Sequence, residues 1–115
     1  MVDPNTIKYI ELPITVAGEA SGVVSLYEHG ETKGLERIII NFYTSNHKPA
    51  GKTLTEEGGY FSYLGLAPGS YIVRVNEAQL QKLGMKPDAD GLRFVITQSM
   101  DGDLVNGLDF TLHKE

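Results

Sequence analysis

The sequence predicts an all-β protein, an antiparallel β-sandwich of about seven strands with one short helix, and three observations predict it. Short apolar runs alternate with polar residues at a period of two, the spacing of half-buried strands. Thirteen glycines fall mostly between those runs, as expected of brief strands joined by turns. Only the stretch from Asn76 to Gly84 changes to a helical period.

Taken in order, Ile7 to Thr15 reads as a strand with Ile10, Leu12 and Ile14 on one face, and Pro13 confines it to an edge or a break. Ala17 to Glu19 reads as a turn. Gly22 to Tyr27 follows, with Val24 and Leu26 opposed to Val23 and Ser25, and His29 to Gly34 reads as a polar loop. The most apolar strand, Arg37 to Tyr43, carries large side chains on both faces and is expected at the centre of a sheet. Ser45 to Gly51 is an exposed loop and Lys52 to Thr55 a short strand.

The stretch Gly59 to Val75 is the most informative. Phe61 and Tyr63 face one way, Pro68 and Gly69 suit a type II turn, and Tyr71, Val73 and Val75 resume the alternation. Asn76 is placed to cap a helix of about two turns that stops at Gly84. Leu92 to Ser99 and Val105 to Leu112 supply two final strands. Residues 1–19 read as an N-terminal strand or linker and residues 20–115 as the sandwich.

With 115 residues the chain can close one core. Its formal net charge is −5, and no basic stripe is legible along it, which argues against nucleic acid and anionic membranes as partners. Cysteine is absent, which excludes disulfides, thiolate catalysis and cysteine zinc sites. No apolar run approaches the ~20 residues of a membrane-spanning helix, so membrane insertion is not expected. Met1 to Thr6 lacks the pattern of a signal peptide, so any export signal is expected in a longer parent chain.

Several segments carry a family resemblance. Gly22-Val-Val-Ser-Leu26, Ile38-Ile-Ile-Asn-Phe42, Thr53-x-Thr-x-x-Gly-Gly-Tyr-Phe61, Leu64-x-Leu-x-Pro-Gly-x-Tyr71 and Val73-x-Val75 resemble the prealbumin-like modules. That group includes the carboxypeptidase regulatory-like domains and the B-type repeats of bacterial surface adhesins (Cna B-type and SdrD B-like). The resemblance covers Ala20 to Leu112 and implies a seven-stranded immunoglobulin-like sandwich. It also implies a non-catalytic stalk, spacer or accessory module of a larger secreted or cell-surface bacterial protein, extracellular or in the cell envelope. Its partners would be neighbouring domains of the parent chain, or a protein or glycan ligand.

Many adhesin repeats are stapled by a lysine in the first core strand bonded to an asparagine in the last, and here the first core strand has no lysine. Lys8 with Asn106, and Glu57 as acid, is the one combination that could substitute, and ordinary solvated side chains are the simpler reading.

Candidate chemistry is sparse. Asp88 and Asp90, with Asp101 and Asp103, could supply the hard oxygens calcium needs, which makes calcium the one cofactor to consider. The same Asp-Gly pairs are also common turn residues, and neither loop completes an EF-hand pattern. His29, His47 and His113 have no second ligand near them in sequence. Glu56 and Glu57 precede a glycine turn, where a solvated pair is the simpler reading than an acid–base couple. Tyr60 is out of phase with Phe61 and is the candidate for an exposed ligand-binding aromatic, on a glycan or a protein. No nucleophile stands beside a base, so an enzyme is not expected. The alternative to a structural module is a binding module for carbohydrate or calcium.

Overall fold

A computed structural model describes residues 18–98 and 103–115 as two packed sheets with one short helix. The strands are β1 (Gly18–Glu28), β2 (Glu31–Gly34), β3 (Ile39–Thr44), β4 (Pro49–Leu54), β5 (Tyr60–Leu66), β6 (Gly69–Val75), β7 (Met85–Pro87), β8 (Leu92–Ile96), β9 (Leu104–Val105) and β10 (Phe110–Lys114). Helix α1 (Glu77–Leu83) lies between β6 and β7. The strand predicted at Ile7 to Thr15 falls outside the described residues.

Strand β1 is the spine of the first sheet. Along one side it pairs antiparallel with β5 and then β2, and along the other it pairs with β9 and then β10, with β7 at the far edge. Both β9 and β10 run parallel to β1, Leu104 opposite Glu19 and Phe110 opposite Val24. Among the described residues that pairing is the one departure from an antiparallel pattern. The second sheet is antiparallel throughout, in the order β4-β3-β6-β8. The apolar strand β3 is flanked on both sides, as its two-faced composition predicts.

Alternation decides what fills the space between the sheets. Val24, Ile40, Phe42, Phe61, Val73, Ile96, Phe110 and Leu112 are fully buried. Phe42 stands at the centre of the aromatic packing, with ring centroids 5.3 Å from Tyr63, 6.1 Å from Phe94 and 6.4 Å from Phe61. Each such side chain contributes about 1.5–3 kcal/mol by leaving water.

The helix is set by its caps. The Asn76 side chain accepts the Gln79 amide hydrogen at 2.9 Å, and Gly84 takes the left-handed conformation at φ 67°. Gln79 then holds the helix to the second sheet: its Oε1 accepts the Ile39 amide at 2.7 Å while its Nε2 donates to the Arg37 carbonyl at 2.9 Å. Tyr71 donates its hydroxyl to the Ala67 carbonyl at 2.5 Å, bracing the corner between β5 and β6.

Five local readings change. The exposed loop expected at Ser45 to Gly51 ends at Lys48, because Pro49 and Gly51 already belong to β4 and pair with Tyr43 and Phe42. Gly18 and Glu19, expected in a turn, pair with Leu66 and Leu64 across β5. The loop predicted at His29 to Gly34 is a two-residue turn followed by β2, because His29 (φ 54°) and Gly30 (φ 80°) both take positive φ, as a type I′ hairpin requires. Gly69 takes a positive φ as expected, but at 155° it lies beyond the about +80° of a type II turn. The last strand, predicted as Val105 to Leu112, breaks between β9 and β10.

Candidate functional site

The acidic loops stand apart in the fold. Asp88 extends the pairing of β7 with β10: its amide donates to the Thr111 carbonyl at 2.9 Å, and its Oδ1 accepts the Thr111 amide at 3.1 Å. Asp90 is exposed and lines a hollow of about 300 Å³ with Arg74, Glu77 and Leu80. Asp103 accepts the Thr97 amide at 2.8 Å and the Thr97 hydroxyl at 2.9 Å on one carboxylate oxygen. These hydrogen bonds, the amide's first, hold its carboxyl below the usual range. Asp101 falls outside the described residues.

Thr111 is level with Ser25 on β1 and the Asp103 carbonyl with Glu19. Six residues of strand therefore separate Asp88 from Asp103, about 20 Å. Among the described residues no three His, Asp or Glu side chains converge as a metal would require.

Tyr60 is 46% exposed, as its phase predicts. It stands opposite Val23 on the outer face of the first sheet, on the same strand face as the exposed Leu64. His29 and His47 occupy positive-φ positions, and the His113 ring sits 5.8 Å from that of Tyr27. Glu28 binds Lys114 at 3.0 Å, and that hydrogen bond lowers the Glu28 carboxyl. Asn106 and Glu57 are exposed, and Lys8 falls outside the described residues.

A different surface collects the most unassigned features: strand β4. Among the described residues it pairs only with β3, so its other edge is open. Two hollows lie along it. One, of about 610 Å³, is lined by Ile39, Lys52, Thr53, Leu54 and Glu56; the other, of about 340 Å³, by Asn41, Tyr43, Pro49, Gly51 and Lys52. Lys52 stands between them.

The fold positions this edge by buried bonds. Thr55, 2% exposed, donates to the Leu35 carbonyl at 2.6 Å and accepts the Ile38 amide at 2.9 Å, so the end of β4 cannot drift from β3. Strand register then puts Asn41 between Lys52 and Arg74, and Ile72 between Tyr43 and Arg93. The second sheet thus gathers three cations on its outer face from three strands, although no basic stripe exists along the chain. The phase of each strand was legible; the strand order that unites them was not.

No family model matches the sequence, and no curated protein matches it significantly. Solved structures do match. GBS52, the minor pilin of the Gram-positive pathogen Streptococcus agalactiae, superposes with a TM-score of 0.67 at 18% identity, over 89% of this chain and 46% of that one. BcpA, the major pilin subunit of Bacillus cereus, gives 0.59 at 15%, over 84% of this chain and 28% of that one. The group B streptococcus pilus 2b backbone protein gives 0.54 at 16%, over 84% and 41%. At these identities the likeness is one of fold: the chain is a β-sandwich of the kind found within pilins. It spans less than half the length of each of these structures.

Proposed function

We propose that this chain is a non-catalytic structural module of a larger bacterial cell-surface protein, serving as stalk, spacer or accessory domain. In this reading residues 20–115 form the module and residues 1–19 are the N-terminal strand or linker that joins it, with Gly18 and Glu19 already paired within β1. The observation that carries the proposal is the superposition on the minor pilin GBS52, in which a unit of this size accounts for 46% of a longer chain.

The use made of polar side chains supports the same reading. Asp88, Asp103, Thr55 and Gln79 all bind backbone groups, and such bonds fix strand ends rather than prepare a reacting centre. A module built this way contributes rigidity and spacing, and its partners are neighbouring modules.

The test is an antibody raised against the module and applied to intact cells of the source organism. Labelling of unbroken cells that external protease removes is the expected result. Signal seen only after lysis would defeat the proposal.

A further inference from the structure

We infer that the open edge of β4 is a docking site for the segment Ile7 to Thr15 of a second copy of this chain, added as a further strand. The inference extends the structural-module reading by naming a contact between modules.

The argument begins with what β4 offers. An unpaired strand presents a row of amide and carbonyl groups, and it needs a partner strand or water. On its outer side the surface alternates in chemistry. Ile39 and Leu54 form an apolar row and Asn41 and Lys52 the next outward row; beyond it the register shifts past Ala50, so Pro49, opposite Tyr43, lies three residues from Lys52 along β4. A strand laid alongside would meet the first two rows at residues two apart, so its outward side chains there should read apolar, then acidic. On the inner side, Ala50 and Tyr63 are partly buried and pack against the core, so the inward side chains should be aliphatic.

The chain contains such a strand. Tyr9, Glu11 and Pro13 occupy one phase of the segment, and Lys8, Ile10, Leu12 and Ile14 the other, which is aliphatic from Ile10 onward. Because Tyr9 and Pro13 flank Glu11 at the same spacing, one of them faces Leu54 when Glu11 faces Lys52, whichever way the strand runs. Pro13, which has no amide hydrogen, is tolerated on a strand that becomes the new edge.

Reach decides that the donor is a second molecule. A Cβ built on Gly18 would lie 2.4 Å from Ile96, so β1 starts beneath β8, the opposite edge of the second sheet. The position beyond β4 is four strand spacings from β8, about 19 Å. Register puts the Lys52 row five residues along from the Ile96 row, since Lys52 aligns through Asn41 with Arg74 and Ile96 aligns with Gly69. That adds about 17 Å, for a separation of about 25 Å. The seven residues from Glu11 to Gly18 span at most about 25 Å fully extended. A chain reaching its own Lys52 would have no length left to lie along β4.

The test uses the full chain, which has no native cysteine. Copies carrying Glu11→Cys and differently tagged copies carrying Lys52→Cys are mixed under mild oxidation, with Lys33→Cys on β2 of the other sheet as the control. A disulfide between Glu11→Cys and Lys52→Cys copies, and none to Lys33→Cys, is expected.

In sedimentation from micromolar to millimolar concentration, Glu11→Lys and Lys52→Glu should each weaken self-association by about fivefold, and the double reversal should restore it. A chain that stays monomeric throughout this range would overturn the inference. Equal crosslinking to the control would also overturn it. Closure within one molecule of a Glu11→Cys/Lys52→Cys variant at nanomolar concentration would do so too. None of these outcomes bears on whether the module is displayed on cells, so the two proposals fail separately.

Discussion

Asp109 reaches back across the sequence and accepts the backbone amide hydrogen of Val23 on its Oδ1, at 3.0 Å. The two residues are 86 positions apart. Between β9 and β10 the closing strand leaves its ladder, and β1 would lose a partner there. Leu108 donates its amide to the Ser21 carbonyl at 3.1 Å, and the Asp109 carboxylate takes the next orphaned donor. The side chain therefore replaces a missing backbone carbonyl.

Replacing Asp109 with Ala should cost about 1 kcal/mol, because a half-exposed amide can recover part of its bond from water. Asn keeps an oxygen in the same place and should recover most of the loss. Urea denaturation of the three proteins measures this, and an unchanged midpoint for Asp109→Ala would contradict it.

Two glycines separate contact from conformation. A Cβ built on Gly22 would lie 2.0 Å from the Leu108 carbonyl oxygen, so β1 and the closing strand touch only because no side chain intervenes. Gly22→Ala should cost about 3 kcal/mol or prevent folding, since backbone must give way. Gly30 has the opposite problem: φ is 80° and the space beside it is open. Gly30→Ala should cost only about 1 kcal/mol, the penalty of the left-handed conformation. Thermal melts of both variants should show the larger drop at Gly22.

Asp103 predicts a pH dependence. Its folded pKa is depressed by the Thr97 amide and then the Thr97 hydroxyl, so the folded state binds this proton more weakly than the unfolded chain does. The stabilisation is present above the usual carboxylate range and is lost as pH falls through the depressed value, so the decline begins below roughly pH 4. Asp103→Asn should be less stable than the parent at neutral pH, and the gap should close as the solution is acidified. Chemical denaturation at several pH values measures both curves; a gap that widens in acid would rule this out.

Tyr71 is 8% exposed, and its hydroxyl bonds to the Ala67 carbonyl. Tyr71→Phe keeps the ring stacked on Phe94, whose centroid is 5.5 Å away, and removes only that bond. A loss of about 1 kcal/mol is expected, with hydrogen exchange fastest at the Ala67 to Gly69 corner. Uniformly faster exchange over the whole second sheet would indicate a packing defect instead.

What could be read in advance follows from distance along the chain. The phase of Phe61, Tyr71, Val73 and Phe110, and the caps at Asn76 and Gly84, are local facts, because alternation and capping act over a few residues. Tyr60 is exposed for the same reason. The Asp-Gly pairs were ambiguous, because a carboxylate that caps an amide and one that awaits a cation look alike in sequence. Asp88 and Asp103 were told apart from a shared site only by where β7 attaches to β10 and β9 to β1.

By itself the sequence determined the sandwich, its core side chains and its one helix, since hydrophobic burial acts on a periodic pattern that the chain carries throughout. Tertiary structure alone decided the parallel closure of β9 and β10 on β1, the grouping of Lys52, Arg74 and Arg93, and the edge of β4 that no described residue pairs. The physical reason is that strand order and register depend on groups dozens of residues apart meeting in space. No single stretch of sequence records that meeting.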